Sequence, residues 1–337
     1  MELAMNANAE LDVFGVGNAM VDILAMVEDD FVREHDLPRG GMLLVDSEKQ
    51  GRLLRELEHQ SLEMQSGGSA ANTVISVALS GGSGCYTGKV ARDPNGEFYR
   101  QDMVASGVNF DVRPAPEESK PTGSCLVLTT PDAERTMCTH LGVSIELSAS
   151  DIDIDQLRRC KLAYIEGYLW DAEGPRAACI EAMEQANKLG VKTAFTFSDP
   201  FLVDRFPDDF RRVVHEYCDI LFCNADEARQ LMEIESLEKA TEQLGARSEL
   251  VFVTDGANGC LISHGGEITR VDGFQVDAID TVGAGDAFAG GVLFGLANGY
   301  APLGSARWGN YLASRVVTIQ GARYPESLAH QVASVIS

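Results

Sequence analysis

The chain lacks the short-range signatures of a metal-stapled or disulfide-stapled protein. Its eight cysteines, Cys85, Cys125, Cys138, Cys160, Cys179, Cys218, Cys223 and Cys260, are scattered. None forms a Cys-x-x-Cys pair, and no histidine stands at zinc-ligand spacing. Most sit in apolar runs, which reads as reduced core thiols in a cytoplasmic protein. No stretch of about twenty apolar residues occurs, so no membrane span is expected. Met1 to Leu11 is short and acidic and has no apolar centre, so no secretory leader is expected either. Basic residues are scarce: 27 Lys and Arg stand against 51 Asp and Glu, for a formal net charge of −24. That balance argues against a nucleic-acid-binding surface and against an anionic membrane surface.

Three familiar motifs are also missing. Gly15 and Gly17 follow an apolar run, but Met20 stands where a dinucleotide fingerprint needs its third glycine. Ser83 to Val90 has Ser83 in place of the first glycine of a P-loop and Val90 in place of its Ser or Thr. No histidine joins a serine or cysteine in a nucleophilic-triad motif. There is no internal repeat and no low-complexity segment.

What is present is alternation. The 337 residues suffice for one large α/β domain or two ordinary ones. Asp12 to Val16 reads as a first strand, with short strands at 43–45 and 85–87. Ser69 to Ser80 and Gly96 to Ser106 read as helices. Between Val108 and Cys138 the period changes to two, with strands over Ser124 to Thr130 and Thr136 to Thr139. From Asp151 onward strands begin at Leu162, Lys192, Ile220 and Leu250, and helices begin at Pro175, Phe210 and Asp226. Such alternation predicts a parallel sheet with helices on both faces. Ligands then bind beyond the carboxyl ends of the strands. The residues at those ends are Asn18, Glu166, Ser198, Asn224, Asp255 and the loop at Gly283.

That last loop carries the sharpest signal. In Asp280-Thr281-Val282-Gly283-Ala284-Gly285-Asp286 three small residues leave backbone N–H groups uncovered just before a long apolar helix. A bare turn at a helix N-terminus is a site for phosphate. Asp286 falls in the first turn, where a carboxylate either only complements the dipole or takes a proton from a hydroxyl beside the phosphate. The combination points to phosphoryl transfer.

Four other groups have two readings each. Asn224 and Glu227 form either a capping box or a magnesium-and-water site. Asn18 and Asp22, with Gly67, Gly68 and Asn72, are either turn and helix-entry chemistry or donors and acceptors for a polyhydroxylated ligand. Arg135 is either a solvated hairpin charge or a cation over phosphate. Thr254, Asp255 and Gly256 read by themselves as a plain turn, and as a nucleotide wall only by the family resemblance given next.

The Asp280 to Gly291 segment closely resembles the C-terminal signature of the PfkB (ribokinase-like) kinases, and the resemblance extends from Val13 to about Pro325. It implies a single ribokinase-like α/β/α unit over 1–337, with a mainly parallel central sheet. A small β lid would come from about 23–46 and 108–140. It implies ATP as donor, Mg²⁺ organised by Asn224 and Glu227, and Asp286 as general base. Gly283, Ala284 and Gly285 would form the anion hole. Asn18, Asp22, Gly67, Gly68, Asn72 and Arg135 would hold the acceptor, and Thr254, Asp255, Gly256 and Asn310 the nucleotide. Asp280 would be a ligand for a monovalent cation such as K⁺. Gly17 to Ile23, Ser198 to Phe201, Tyr164 to Tyr168 and Gly321 to Glu326 resemble adenosine kinases within that family. That likeness implies a nucleoside acceptor, adenosine converted to AMP in purine salvage, with a free sugar such as ribose or fructose as the alternative. A ligand-binding regulator on a kinase fold is the non-enzyme alternative. Monomer and homodimer are both compatible with the sequence.

Overall fold

A computed structural model describes residues 9–132 and 134–337. Residues 1–8, most of the segment considered for a leader, lie outside the described residues. Among the described residues two sheets form the frame. The larger runs in space as Glu267–Val271, Cys260–His264, Leu250–Thr254, Ile220–Asn224, Lys192–Thr196, Cys160–Glu166, Leu11–Val16, Gly84–Thr87 and Val108–Asn109. From Leu250–Thr254 to Val108–Asn109 every pair is parallel. The last hairpin adds two antiparallel strands at the other edge.

The inner strands are apolar on both faces because both faces are covered, whereas the edge strand Glu267–Val271 is mostly exposed. Alternate residues divide between two cores. Phe222 and Phe252 pack with the helices Ser69–Leu79, Ala284–Ala297 and Pro302–Val316. Leu221, Val251 and Val253 pack with Glu173–Leu189, Pro207–Glu216 and Ala225–Met232 on the opposite side. This is the three-layer α/β/α arrangement of the ribokinase-like fold.

The smaller sheet has five strands in the order Met42–Leu44, Arg135–His140, Gly123–Thr129, Met20–Met26 and Glu63–Gly67. Glu63–Gly67 was not foreseen as one of its strands. Val108–Asn109, inside the stretch assigned to the lid, pairs instead with Gly84 and Cys85 at the edge of the large sheet. All eight cysteines are buried and free. Among the described residues no helix is long and apolar enough to cross a membrane.

One packing contact sets the site. The Ala284–Ala297 helix is buried along nearly its whole length. Gly290 on it lies against the Ser69–Leu79 helix, where an added Cβ would come within 2.5 Å of both Thr73 O and Ser76 Cβ. With no side chain at this crossing the two backbones approach closely. Asp286 lies one turn before Gly290, and Ser69 and Asn72 lie one turn before Thr73 and Ser76. Close contact at the glycine therefore brings the two helix mouths together.

Candidate active site

Gly283 caps the Ala284–Ala297 helix with φ 76°. That left-handed conformation disfavours any side chain, and an added Cβ would also lie 2.4 Å from Ala322 O. The turn is thus held between its own backbone and the Gly321–Arg323 segment. Val282 N donates to Asp280 Oδ1 at 3.0 Å, and Gly321 N donates to Asp280 Oδ2 at 3.0 Å. Gly285 is exposed, and a Cβ there would meet nothing within 4 Å.

Asp286 sits beside this turn. Its Oδ1 accepts a 2.6 Å hydrogen bond from Ser69 Oγ, and its Oδ2 a 3.4 Å bond from Asn72 Nδ2. Burial raises its pKa to about 6, and the two donors hold it from rising further. It still reaches a small cavity of about 100 Å³ that it shares with Ser69, Ser198, Asn224, Glu227 and Thr254. A larger, mainly apolar cleft of about 300 Å³ adjoins it through Thr254, Gly285 and Phe288. Its walls include Gly256, Phe274, Ala284, Asn310 and Val317.

Asp22, on the Met20–Met26 strand, is packed against Gly67, whose Cα could not carry a Cβ without striking the carboxylate at 2.4 Å. Its pKa rises to about 7 through burial, offset in part by Arg323 and Arg135. Asn72 is buried, and its Oδ1 has no hydrogen-bond partner. An orphaned buried acceptor suits a hydroxyl donor from a ligand.

Several residues are used differently from the sequence expectation. Asn18 gives both its backbone N–H and its Nδ2–H to Glu166 Oε1, at 2.7 and 3.0 Å. Its amide donor is therefore engaged with protein. Arg135 is no solvated hairpin charge: its Nη1 lies 2.7 Å from Asp280 Oδ2, with both side chains buried, while its Nη2 has no partner. With Arg135 and two N–H donors around it, the Asp280 carboxylate has its charge balanced within the protein. Asp255 accepts from Asn258 Nδ2 at 3.3 Å and Arg270 Nη1 at 3.2 Å, closing its own turn. Asn310 lines the cleft but spends its Nδ2 on Val271 O and Asp272 O.

Asn224 and Glu227 do form the capping box: Asn224 N donates to Glu227 Oε2, and Glu227 N to Asn224 Oδ1, both at 2.9 Å. The same two residues also line the small cavity. Burial raises the Glu227 pKa to about 7, and the backbone bond from Asn224 falls on Oε2 rather than Oε1. A carboxylate oxygen facing a polar cavity beside the bare turn fits a hydrated Mg²⁺. Among the described residues no three acidic, His or Cys side chains cluster to bind a metal directly.

Sequence reasoning missed Ser69 as the partner of Asp286, although it stood inside the Gly67 to Asn72 run. It also missed Arg323, whose guanidinium donates to Ser66 Oγ and Asp102 Oδ2 at 3.2 Å. No local signal marks either role, since their partners are remote in sequence.

The profile of the pfkB family carbohydrate kinases matches residues 47–328. The chain belongs to the PfkB family. It is an ATP-dependent kinase of that family. Adenosine kinase 2 of Arabidopsis thaliana is 26% identical to it, over 96% of this chain and 99% of that protein. The crystal structure of an adenosine kinase from Sinorhizobium meliloti superposes with a TM-score of 0.88 and 36% identity, covering 97% of this chain and 99% of that one. A structure described as a probable sugar kinase from Rhizobium etli CFN 42 is also similar, with a TM-score of 0.88, 33% identity, and 97% and 98% coverage.

Proposed function

We propose that this PfkB kinase transfers the γ-phosphoryl group of ATP to the primary hydroxyl of a nucleoside, adenosine, giving AMP. The observation that carries the reading is the helix mouth itself. A half-buried carboxylate and an uncovered Gly283–Gly285 turn share one end of the Ala284–Ala297 helix, between a small polar cavity and a larger apolar cleft. The choice of adenosine rests on similarity to the Sinorhizobium meliloti adenosine kinase over nearly the full length of both chains.

Asp286 accepts the proton of the attacking hydroxyl, a role that typically contributes about 10²–10⁴-fold. The N–H groups at the turn stabilise charge on the transferring oxygens. Glu227 and Asn224 would hold Mg²⁺ through water, and the ion would supply neutralisation of the phosphate charge. Asp22 and Asn72 receive the sugar hydroxyls. The large cleft takes the donor's base between Phe274, Phe288 and Val317. The five-stranded sheet acts as the lid, excluding water that would otherwise hydrolyse ATP.

A free-sugar acceptor is the second reading, favoured by the 33% identity to the Rhizobium etli protein. The test is turnover of adenosine, other nucleosides, ribose and fructose with ATP and Mg²⁺, read as ADP release. Adenosine is expected to give the highest kcat/KM. Phosphorylation of fructose or ribose alone would overturn the nucleoside assignment.

A further inference from the structure

Glu166 is a buried carboxylate to which the proposed reaction gives no part. It lies at the end of the Cys160–Glu166 strand and is 1% exposed. Its Oε1 accepts the two Asn18 N–H groups, and its Oε2 accepts Ala70 N at 2.7 Å. It thus occupies the N-terminus of the Ser69–Leu79 helix, where an anion is favoured by the helix dipole. Its room is made by Gly17, where an added Cβ would lie 2.6 Å from Glu166 Oε2. The consequence falls on the residue before Ala70. Ser69 is fixed in place, and its hydroxyl donates to Asp286 at 2.6 Å.

We infer that Ser69 is a positioning residue of the reaction: held by the Glu166 clamp, its hydroxyl fixes the Asp286 carboxylate at the mouth of the bare turn. The inference rests on the reading of Asp286 as the base. Without Ser69 the carboxylate keeps only the Asn72 contact at 3.4 Å, which is long for a charge-assisted bond. A carboxylate one rotamer away no longer faces the acceptor hydroxyl, and misplacement of this kind is costly in rate. The donor also favours the ionised form of Asp286, and its loss moves the pKa further up. The charged and titratable groups around this carboxylate are Asp22, Glu166, Tyr164 and Tyr168, with Glu227 lining the same small cavity. None of these groups stands on the Ser69–Leu79 helix that carries the substitution.

The experiment measures ADP release with adenosine and ATP–Mg²⁺ from pH 5 to 9. Ser69→Ala, Ser69→Thr, Glu166→Gln and Asp286→Asn are compared with the wild-type chain, each checked for folding by its thermal midpoint. Ser69→Ala is expected to fold normally, since Ser69 is only partly buried. Its kcat should fall about tenfold, within the range for hydrogen bonds to charged groups. The acid limb of its kcat/KM profile should move up by about half a unit, with KM for ATP unchanged. Ser69→Thr, which keeps the hydroxyl, should restore both. Glu166→Gln should lower kcat in the same way, and adding Ser69→Ala to it should cost less than the product of the single effects. A folded Ser69→Ala with the wild-type kcat and acid limb would overturn the inference. Substantial turnover by Asp286→Asn would instead remove the reading of Asp286 on which it rests.

Discussion

Arg135 and Asp280 join the small sheet to the turn that would receive phosphate. The 2.7 Å ion pair is buried, and Asp280 also accepts N–H groups from Val282 and Gly321. One carboxylate therefore holds three segments: the Arg135–His140 strand, the glycine turn and the stretch near Gly321. Breaking a buried pair by removing one partner leaves an uncompensated charge, at roughly 3–5 kcal/mol. Asp280→Ala should destabilise the chain by about that amount in urea unfolding. Arg135→Ala should cost less, because two N–H donors remain for Asp280. The double variant should lie well below the sum. Additive losses would show that the two side chains are not coupled.

The position of Asp286 predicts a pH dependence. Burial holds its pKa near 6, and only the ionised form accepts a proton. Turnover per unit KM should be level at pH 8 and should fall through about pH 6, losing about tenfold per pH unit below it. An acid limb close to about 4 would mean that the group limiting the rate is an ordinary exposed carboxylate.

Stability should respond to pH in the sense opposite to a salt-bridged protein. Asp22, Glu166 and Glu227 are each raised to about 7 by burial, well above the usual carboxylate range. Between about pH 4.5 and 7 the folded chain binds more protons at these groups than the unfolded chain does. Their contribution is then fully present below the unfolded values and is lost as pH rises through about 7. The ligand-free protein should gain on the order of a few kcal/mol on going from pH 8 to pH 5. Glu227→Gln should flatten that slope when unfolding is followed by urea titration at each pH. A slope unchanged by the substitution would rule out burial of Glu227 as one of its causes.

Gly283 and Gly285 should part company when substituted. Gly283→Ala meets both a left-handed φ and Ala322 O at 2.4 Å. It should lose at least about 1–2 kcal/mol of stability and most of its turnover. At Gly285 the backbone is helical and open, so alanine should stabilise the helix by roughly 0.5–1 kcal/mol. The added methyl would nevertheless cover N–H groups meant for phosphate, and KM for ATP should rise about tenfold or more. Wild-type kinetics in a stable Gly285→Ala would remove this turn from phosphate binding.

What was readable from the chain was local. Leu250–Thr254 matches the expected strand because a strand buried on both faces leaves an unbroken apolar run. The Gly283 to Asp286 turn was readable because its chemistry lies within a few consecutive residues. By contrast, Glu63–Gly67 carries the polar sequence EMQSG and is a strand only because Met20–Met26 pairs with it. The Pro302–Val316 helix packs on Gly291 through Gly309, so its small residues give little periodicity.

The sequence by itself determined the alternating α/β plan and the place of Asp286, since these depend on spacing along one strand or turn, and it carried the motif whose likeness marks the kinase family. Only the folded chain decided that Ser69, 217 residues away, holds that carboxylate. It alone also decided that Glu166 takes the donors of Asn18 and that Arg135 rests on Asp280. Hydrogen bonds and ion pairs act over a few ångströms, and which remote residues come that close is set by how helices and sheets pack.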